Sequence, residues 1–238
     1  MINGNRILSI ITARGGSKGI PHKNIIPILN KPLIGYTIEE AKKSIYIDTI
    51  IVSTDDPKIA EVTESYGVPV PFLRPVEIAR DTSSSEDAVT HSIQWLKDNR
   101  NDIYQTFILL QPTSPLRRKE HIDEAIYKYT NTPEATSLIS VTQVKQFPWW
   151  MKTITPDGFL QNFIGDQTRN TRRQDLPELF IPNGAIYISD VALFLTSGSF
   201  TAGNTLPFLM SEEDSTDIDD HFDIKLAELL LQERQNEN

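Results

Sequence analysis

Short apolar runs alternate with amphipathic stretches along the first part of the chain. The apolar runs are Ile7–Thr12 and residues 49–54, 107–111 and 137–141. They are rich in β-branched residues, which predicts buried parallel strands. Apolar residues recur at helical spacing between them, in Ile59/Val62/Tyr66, Val89/Ile93/Leu96 and Ile122/Ala125/Ile126/Tyr129. Strands that alternate with helices predict an α/β fold with a doubly wound, mostly parallel sheet.

The alternation stops in residues 143–182, which are rich in proline, aromatic and charged residues and have no clear period. Strand patterns return at residues 185–188 and 208–210, and a closing helix is expected from about Asp223. We therefore predict one α/β domain formed by residues 1–142 and 183–238, with residues 143–182 as a protruding arm.

Composition restricts the partners of the protein. The chain has 238 residues with 23 Lys and Arg against 32 Asp and Glu, so its formal charge is −9. This charge argues against nucleic acid or an anionic membrane as the main partner. The absence of cysteine excludes disulfides and thiolate catalysis. The apolar run at the N-terminus is too short for a membrane span, so a soluble, cytoplasmic protein is expected.

A glycine-rich, basic loop of residues 13–24 follows the first strand. It contains three glycines, Gly15, Gly16 and Gly19, and three cations, Arg14, Lys18 and Lys23. Glycines let backbone N–H groups approach anionic oxygens, and the cations supply charge, so the loop is suited to cradle a triphosphate. It fits neither the P-loop nor the dinucleotide fingerprint. The alternative is a flexible basic turn between a strand and a helix.

The loop, together with Lys23-Asn24, resembles the signature of the acylneuraminate cytidylyltransferases, the CMP-sialic acid synthetases. Further segments resemble the blocks of that family in the same order along the chain. They are residues 51–55, Arg74-Pro75 with residues 81–85, residues 111–117 (QPTSPLR), 173–177, 182–187 and 214–219.

The resemblance implies roles for individual residues. The nucleotide-binding residues that it implies are Arg14, Gly15, Gly16, Ser17, Lys23, Asn24, Arg74 and Ser85. The implied contacts to a sugar acid are Gln111, Lys152, Arg173, Asn183 and Tyr187. For Ser85 the alternative is a helix cap, which we assign to Ser84. Arg117 ends the QPTSPLR segment that resembles the family. The alternative is that it is only a surface cation at a helix start.

Asp217 and Asp219 are two residues apart before the last helix. In an extended backbone both carboxylates point to the same side, and two hard oxygen donors suit Mg²⁺. The resemblance assigns them this metal role. Asp214, Asp220 and Asp223 lie nearby, so the alternative is a solvated acidic run, and we assign Asp223 to the helix start.

The implied reaction is attack of the anomeric hydroxyl of a sialic-acid-type nonulosonic acid on the α-phosphorus of CTP. Arg14, Lys18, Lys23 and the magnesium held by Asp217 and Asp219 neutralise charge, and pyrophosphate leaves. No general base is evident, and His22 has no assigned role. Two other hypotheses are a sugar-phosphate pyrophosphorylase that uses another nucleotide and a non-catalytic nucleotide-binding module.

The resemblance also implies that the arm crosses to a partner subunit, where Arg173 and Lys152 complete the partner's site in a homodimer. The alternative is that Arg172 and Arg173 are a solvated pair. Ile181 stands where several relatives carry arginine. The apolar residues 147–151 before Lys152 favour a diacetamido acid such as legionaminic acid over N-acetylneuraminic acid, unless the two tryptophans only pack the arm.

Overall fold

A computed structural model describes residues 2, 4–17, 19–164 and 172–237. Within these residues the strands are β1 Ile7–Thr12, β2 Pro27–Ile28, β3 Lys31–Pro32, β4 Thr49–Ser53, β5 Thr106–Leu109, β6 Ser137–Gln143, β7 Lys152–Ile154, β8 Leu160–Asn162, β9 Phe180–Asp190 and β10 Thr205–Leu209. The α-helices are α1 Leu33–Lys43, α2 Pro57–Ser65, α3 Ser85–Arg100, α4 Lys119–Thr130, α5 Val191–Ser197 and α6 His221–Glu237. The predicted α/β class is confirmed.

Six of the described strands form the central sheet in the order β10-β6-β9-β5-β1-β4. β9 runs antiparallel to both of its neighbours, β5 and β6, whereas the other pairs are parallel. The strand predicted for residues 185–188 is thus much longer than expected and inverted. It is inverted because it enters the sheet directly from the arm rather than after a crossover helix.

The predicted helix starts are confirmed by their caps. The side chain of Asp56 accepts a hydrogen bond from the backbone N–H of Lys58, and Pro57 is the first residue of α2. Ser84 and Asp87 form a reciprocal capping box at the start of α3. Asp223 lies in the first turn of α6 and accepts hydrogen bonds from the backbone of Asp219 and Asp220.

Apolar side chains cover both faces of the sheet. One cluster packs α1, α2 and α4 on one face, and a second packs α3 and α5 on the other. A third cluster buries Ile20 of the glycine-rich loop together with α1 and α6. It also contains Ile218 of the acidic segment, which is residues 214–219. This third cluster anchors both segments that carry the predicted chemistry.

The arm contains the antiparallel hairpin of β7 and β8. Its large apolar side chains Ile154, Phe159, Leu160 and Phe163 are each exposed by more than half, at 75%, 73%, 74% and 62%. The division of the chain into a domain and an arm stays a prediction. Among the described residues, the helices are too short or too polar to cross a membrane.

Candidate active site

The glycine-rich loop leaves the sheet at the carboxyl end of β1. The backbone N–H of Gly15 donates to Asp55 Oδ1 at 2.9 Å, so the loop is held against the end of β4. A Cβ on Gly15 would lie 2.7 Å from Cβ of Asp56, which explains why this position requires glycine. The buried amide of Asn24 donates to the carbonyl of Arg14 at 2.9 Å and closes the loop on itself.

A pocket of about 260 Å³ lies between this loop, the start of α3 and the end of β5. The predicted site residues that line it are Arg14, Gly16, Ser17, Lys23, Asn24, Arg74, Ser85 and Gln111. Gly15 lies beside them in the loop, and Lys18 lies outside the described residues. The pocket is therefore at the carboxyl ends of parallel strands, where ligands of doubly wound folds bind.

Two arginines give the pocket its positive charge. Arg74 is buried, and its guanidinium donates to the side chain and the carbonyl of Ser53, at 3.1 and 2.5 Å. Burial lowers the pKa of Arg74 to about 10, against the opposing effect of Asp55, so it remains a cation at neutral pH. Arg14 instead binds Asp81 at 3.0 Å and the carbonyl of Arg80 at 2.9 Å.

The serines at the start of α3 have separate roles. Ser84 caps the helix, as predicted, through its bond from the N–H of Asp87. Ser85 is the first helical residue and is half-buried in the wall of the pocket. The first N–H groups of a helix favour an anion or a hydrogen-bond acceptor, so this wall is suited to a polar part of a nucleotide.

The acidic segment lies next to Lys23. The ammonium of Lys23 donates to the carbonyl of Ile218 at 2.7 Å and to Asp219 Oδ1 at 3.1 Å. The N–H of Ile218 donates to the carbonyl of Thr113, which lines the pocket. The predicted proximity of the acidic segment to the loop is thereby present in the fold.

The two carboxylates of the acidic segment have different environments. The side chain of Asp219 is 79% exposed. Asp217 is largely buried, and its Oδ1 is inaccessible and has no hydrogen-bond partner. Burial raises the pKa of Asp217, a side-chain hydrogen bond from Thr113 to the carboxylate partly opposes this, and the negative charge of Asp219 raises the pKa further. A buried carboxylate oxygen without a donor is costly unless a cation approaches it, so this pair fits a hard divalent cation.

The described residues hold no cluster of three or more His, Cys, Asp or Glu side chains arranged for a metal. Magnesium uses one or two protein carboxylates and completes its shell with water and phosphate oxygens. Asp217 and Asp219 therefore match the donor set that Mg²⁺ needs at a phosphate site.

Gln111 lies two residues past the end of β5, at the floor of the pocket. A Cβ on Gly184 would lie 3.1 Å from its Oε1, so the amide of Gln111 packs closely on the backbone of β9. Tyr187 is partly buried on the same strand. Burial raises the pKa of Tyr187, and the charges of Asp217 and Glu86 raise it further, but Tyr187 does not line the pocket.

The structure gives Asn183 a different role from the predicted substrate contact. Its buried amide oxygen accepts from Ser140 Oγ, and its amide nitrogen donates to Ser215 Oγ at 2.8 Å. The side chain is used to join β9 to β6 and to the segment that leads to Asp217. These bonds go to serine hydroxyls, and the contact of Asn183 with a sugar acid stays a prediction.

The two predicted arm residues are exposed and do not line the pocket. Lys152 donates to Asn162 Oδ1 across the β7–β8 hairpin. Arg173 begins a short 3-10 helix, and its neighbour Arg172 pairs with Asp175 at 2.9 Å. Within the described part of one chain, the arm therefore leaves these cations at a distance from the pocket.

A larger cavity, of about 740 Å³, lies between α1, α4 and α6, but it does not hold the predicted chemistry. Acidic and basic side chains are mixed on its walls. Asp214 of this cavity is buried and pairs with Arg234, Arg118 and His121, so its charge stabilises the fold. The smaller pocket is the one that most of the predicted nucleotide-binding residues line; Asp217 and Asp219 do not line it, but Lys23, which does, joins it to their segment.

Several residues of the site were not singled out from the sequence. Asp55 holds the glycine-rich loop, Asp81 pairs with Arg14, and Thr113 supports Ile218. Asp55 and Asp81 belong to segments that the family motifs include, so their position in those motifs was the available signal. Arg117 is fully buried rather than a surface cation, which contradicts the alternative considered for it.

Known proteins resemble the chain along most of its length. The family described as cytidylyltransferase matches residues 8–177. The chain is 35% identical to the N-acylneuraminate cytidylyltransferase of Escherichia coli O18:K1:H7, over 97% of this chain and 53% of that protein. It is 36% identical to the CMP-N,N'-diacetyllegionaminic acid synthase of Legionella pneumophila, over 97% and 98%. A pseudaminic acid cytidylyltransferase of Campylobacter jejuni is 33% identical, over 94% and 95%.

The chain spans about half the length of the Escherichia coli and Streptococcus agalactiae N-acylneuraminate cytidylyltransferases, at 53% and 50%. Among solved structures, a CMP:2-keto-3-deoxy-manno-octonic acid synthetase complexed with CTP has the same fold, with a TM-score of 0.69 at 15% identity, covering 96% of this chain and 99% of that one. The 4-diphosphocytidyl-2C-methyl-D-erythritol synthase of Anaerococcus prevotii has a TM-score of 0.68 at 16% identity, covering 97% and 100%. With a matched family that extends over residues 8–177 and relatives of equal length above 30% identity, the chain belongs to the cytidylyltransferase family.

Proposed function

We propose that the protein transfers CMP from CTP to the anomeric hydroxyl of a sialic-acid-type nonulosonic acid and releases pyrophosphate. The observation that carries this proposal is the junction of the glycine-rich loop with the acidic segment through Lys23. It brings phosphate-binding cations and two carboxylates to the same edge of the sheet, on a chain whose relatives are named for this chemistry.

In the proposed complex the triphosphate lies along the loop of residues 13–24. Arg14 and Lys23 neutralise its charge, together with Lys18, and the buried Arg74 and the start of α3 hold the nucleoside end. To bind a phosphate, Arg14 must release Asp81. Breaking this ion pair costs little, because ion pairs near the surface contribute about 0–1 kcal/mol to stability.

The sugar acid lies next to Gln111 on the other side of the pocket. The anomeric hydroxyl loses its proton to water or to a nearby carboxylate, and its oxygen forms a bond to the α-phosphorus while the bond from that phosphorus to the bridging oxygen breaks, so that pyrophosphate leaves with the electron pair. Holding the two reactants in line and neutralising charge supply most of the acceleration in such reactions.

Asp217 and Asp219 would hold the metal. When bound, Mg²⁺ neutralises negative charge on the phosphate oxygens and the leaving pyrophosphate. The partnerless buried Oδ1 of Asp217 and the exposed carboxylate of Asp219 are the donors that this chain supplies. Before a metal binds, the ion pair with Lys23 keeps Asp219 close to the loop.

The arm supports the proposal of a homodimer. The pocket of one chain, at about 260 Å³, is small for two substrates, because small-molecule sites usually measure about 300–1,000 Å³. The exposed apolar side chains of the β7–β8 hairpin need a partner. We propose that the arm covers the site of a second copy and brings Lys152 and Arg173 to the carboxylate of its sugar acid.

The proposal also specifies which sugar acid is the preferred substrate. Phe147 is buried and packs on Trp149 and Trp150, with ring centroids 6.5 and 5.1 Å apart. This aromatic cluster beside Lys152 and the exposed Ile181 offer apolar surface to methyl and acetamido groups. We therefore propose a diacetamido acid of the legionaminic type as the preferred substrate. The cytoplasmic location stays a prediction.

A pyrophosphate-release assay tests the function. The protein is incubated with each of the four nucleotides and Mg²⁺, with no acceptor, N-acetylneuraminate, diacetyllegionaminate or a hexose 1-phosphate. We expect release only with CTP and a nonulosonic acid. Equal turnover with UTP and a hexose 1-phosphate would favour the pyrophosphorylase, and nucleotide binding without turnover would favour the binding module. A kcat/KM at least tenfold higher for N-acetylneuraminate would contradict the preferred acid.

A further inference from the structure

Arg117 places a guanidinium in the interior of the protein. Its side chain is among the largest that are fully buried, and burial lowers its pKa to about 9, with Glu40 acting in the opposite direction. Within the described residues, its hydrogen bonds go to two carbonyls and one hydroxyl. Burying a cation is costly unless it is well hydrogen-bonded, and an apolar residue would fill the same space at lower cost.

The three hydrogen bonds of Arg117 join three different elements. Nη1 donates to the carbonyl of Gln111 at 3.0 Å and to the carbonyl of Ala185 at 2.7 Å. Nη2 donates to Thr37 Oγ1 of α1 at 2.5 Å. One planar group thereby fixes the end of β5 and the middle of β9 relative to a helix that covers the sheet.

β9 is irregular at the point where Arg117 holds it. Its register with β6 shifts between Ile139 and Val141, and Gly184 has a φ of +77°. Ser140 closes the irregularity, because it accepts from the N–H of Ile186 at 2.7 Å and donates to Asn183. The irregularity is a large bulge, in which residues 183–186 of β9 stand opposite Ser140 alone, and bulges redirect strands next to functional sites.

The bulge forms one wall of the space around the Gln111 amide. A Cβ on Gly184 would lie 3.1 Å from Gln111 Oε1, so any side chain at position 184 would crowd the amide of Gln111. Arg117 binds the carbonyl of Gln111 itself and that of Ala185, which follows Gly184. The backbone of Gln111 and the wall against which its side chain rests are therefore held by the same guanidinium.

We propose that Arg117 is a positioning residue for the sugar-acid half of the site, which it serves by locking Gln111 to the bulge of β9. The proposal rests on the proposed function, in which Gln111 contacts the acid. Arg117 does not line the pocket, so it acts through Gln111 and not on the substrate. The nucleotide half is formed by the loop, Arg74 and α3, and within the part of the chain that the structure describes Arg117 has no hydrogen bond to these.

Kinetics of three variants test this role. Arg117→Lys keeps the charge, but an ammonium cannot reproduce the planar fork that spans three acceptors. Thr37→Val leaves the arginine in place and removes one of its three bonds, together with the long hydrogen bond of 3.4 Å that Thr37 Oγ1 itself donates to the carbonyl of Gln111. Ile126→Ala, in the core under α4, is the matched control for lost stability. We expect Arg117→Lys to raise the KM for the acid by roughly tenfold or more, since displacements of about 1 Å can cost up to a hundredfold. Thr37→Val should raise it less, while the Kd for CTP stays within about twofold of the wild type in both.

A spectroscopic measurement gives an answer that does not depend on turnover. The side-chain amide of Gln111 is assigned in ¹⁵N spectra by its loss in Gln111→Glu. We expect Arg117→Lys and Thr37→Val to shift and broaden this signal, and Ile126→Ala to leave it unchanged. If Arg117→Lys does not fold, Arg117→Gln, which keeps an amide donor without the charge or the planar fork, takes its place, because Thr37 also binds the carbonyl of Gln111 directly.

An unchanged Gln111 signal in the folded variants would overturn the role of Arg117, and so would equal weakening of CTP and acid binding. If the wild type uses no nonulosonic acid, the proposed function fails, while the amide signal still decides whether Arg117 positions Gln111.

Discussion

Lys23 and Asp219 form an ion pair of 3.1 Å although 196 residues separate them in the chain. The same ammonium also donates to the carbonyl of Ile218, between the two aspartates, at 2.7 Å. Lys23 is therefore the physical link between the loop that would bind phosphate and the segment that would hold the metal. Its side chain is only 15% exposed, so the pair is sheltered from solvent screening on one side.

Replacing Lys23 by alanine should lower kcat by about a hundredfold, because it removes a charge at the phosphates and loosens the acidic segment. The measurement is steady-state pyrophosphate release with CTP and the acid. Lys31→Ala is the control, since Lys31 also pairs with a carboxylate, Glu39 at 2.6 Å, but away from the pocket. A Lys23→Ala protein that differs only in thermal stability would contradict the cradle.

Asp217→Asn and Asp219→Asn should each lower the rate by at least about a hundredfold, because both would remove a donor to the metal. Asp217→Asn should not lower the melting temperature, because the wild-type carboxylate already buries an oxygen without a partner. Activity is measured over a range of Mg²⁺ concentrations, with the exposed Asp98→Asn as control. Near wild-type activity of both variants at limiting Mg²⁺ would show that the acidic run is only surface.

Gly19→Ala should also reduce activity, since a Cβ on Gly19 would lie 2.7 Å from the carbonyl oxygen of Asp219. A backbone atom cannot yield as a side chain can, so the loop and the acidic segment must separate. Gly35→Ala is a suitable control: its Cβ would meet the end of the Tyr66 side chain, which can move. We expect at least a tenfold loss in kcat/KM for Gly19→Ala, of the size that a misplacement of about 1 Å produces. Equal activity of the two variants would contradict the close packing of the loop on Asp219.

The sequence pattern predicted those elements whose apolar residues share the same buried environment. β1 and β4 are buried and parallel, so their runs of isoleucine and valine gave their bounds almost to the residue. The pattern failed for β9, whose first residues are exposed and whose bulge breaks the alternation. It also did not single out α1, which is preceded by proline and has no side-chain cap.

The residues of the site divide in a similar way. Charged residues in a glycine-rich loop indicate phosphate binding, so Arg14 and Lys23 could be predicted as site residues from the sequence. Asn183 and Arg117 belong to equally recognisable motifs, but their role depends on what they touch in the folded chain. Their side chains bind backbone and serine groups that are distant in the sequence, and spacing along the chain does not reveal such contacts.

Stability should depend on pH through Asp214. Burial alone would raise its pKa, but hydrogen bonds from His121 and Ser211 and the charge of Arg234 hold the pKa of Asp214 well below its usual range. A carboxylate with a lowered pKa stabilises the fold above the unfolded-state pKa of about 3.9 and loses this contribution as the pH falls towards the folded-state value.

Asp214→Asn should therefore lower the free energy of unfolding by about 2–3 kcal/mol at pH 7, the size of a hydrogen bond to a charged group. The difference from the wild type should shrink when urea unfolding is repeated below about pH 4. The exposed Asp98→Asn should change stability by no more than about 0.5 kcal/mol. A difference for Asp214→Asn that is constant between neutral and acidic pH would contradict the ionic role of this side chain.

The arm allows a test by complementation between subunits. Arg173→Ala should damage only the arm, and Asp217→Asn only the pocket, so each homodimer should be inactive. If the arm of one copy completes the pocket of the other, a mixed dimer has one intact site, which combines the unmodified pocket of one chain with the unmodified arm of its partner. Random mixing makes about half of the dimers mixed, so the mixture should recover about a quarter of the wild-type activity.

The measurement is activity after the two inactive variants are unfolded and refolded together, with sedimentation to establish the assembly state. Each variant refolded alone is the control for recovery. A chain that carries both substitutions, refolded with an equal amount of the wild type, should leave about a quarter of the activity if the arm acts on the partner, because only wild-type dimers then have intact sites, and about half if each arm serves its own chain. No recovery in the mixture, or a fully active wild-type monomer, would show that Arg173 serves its own chain or that the arm has another role. Recovery near a quarter would place Arg173 in the site of the partner and explain why it lies apart from the pocket in a single chain.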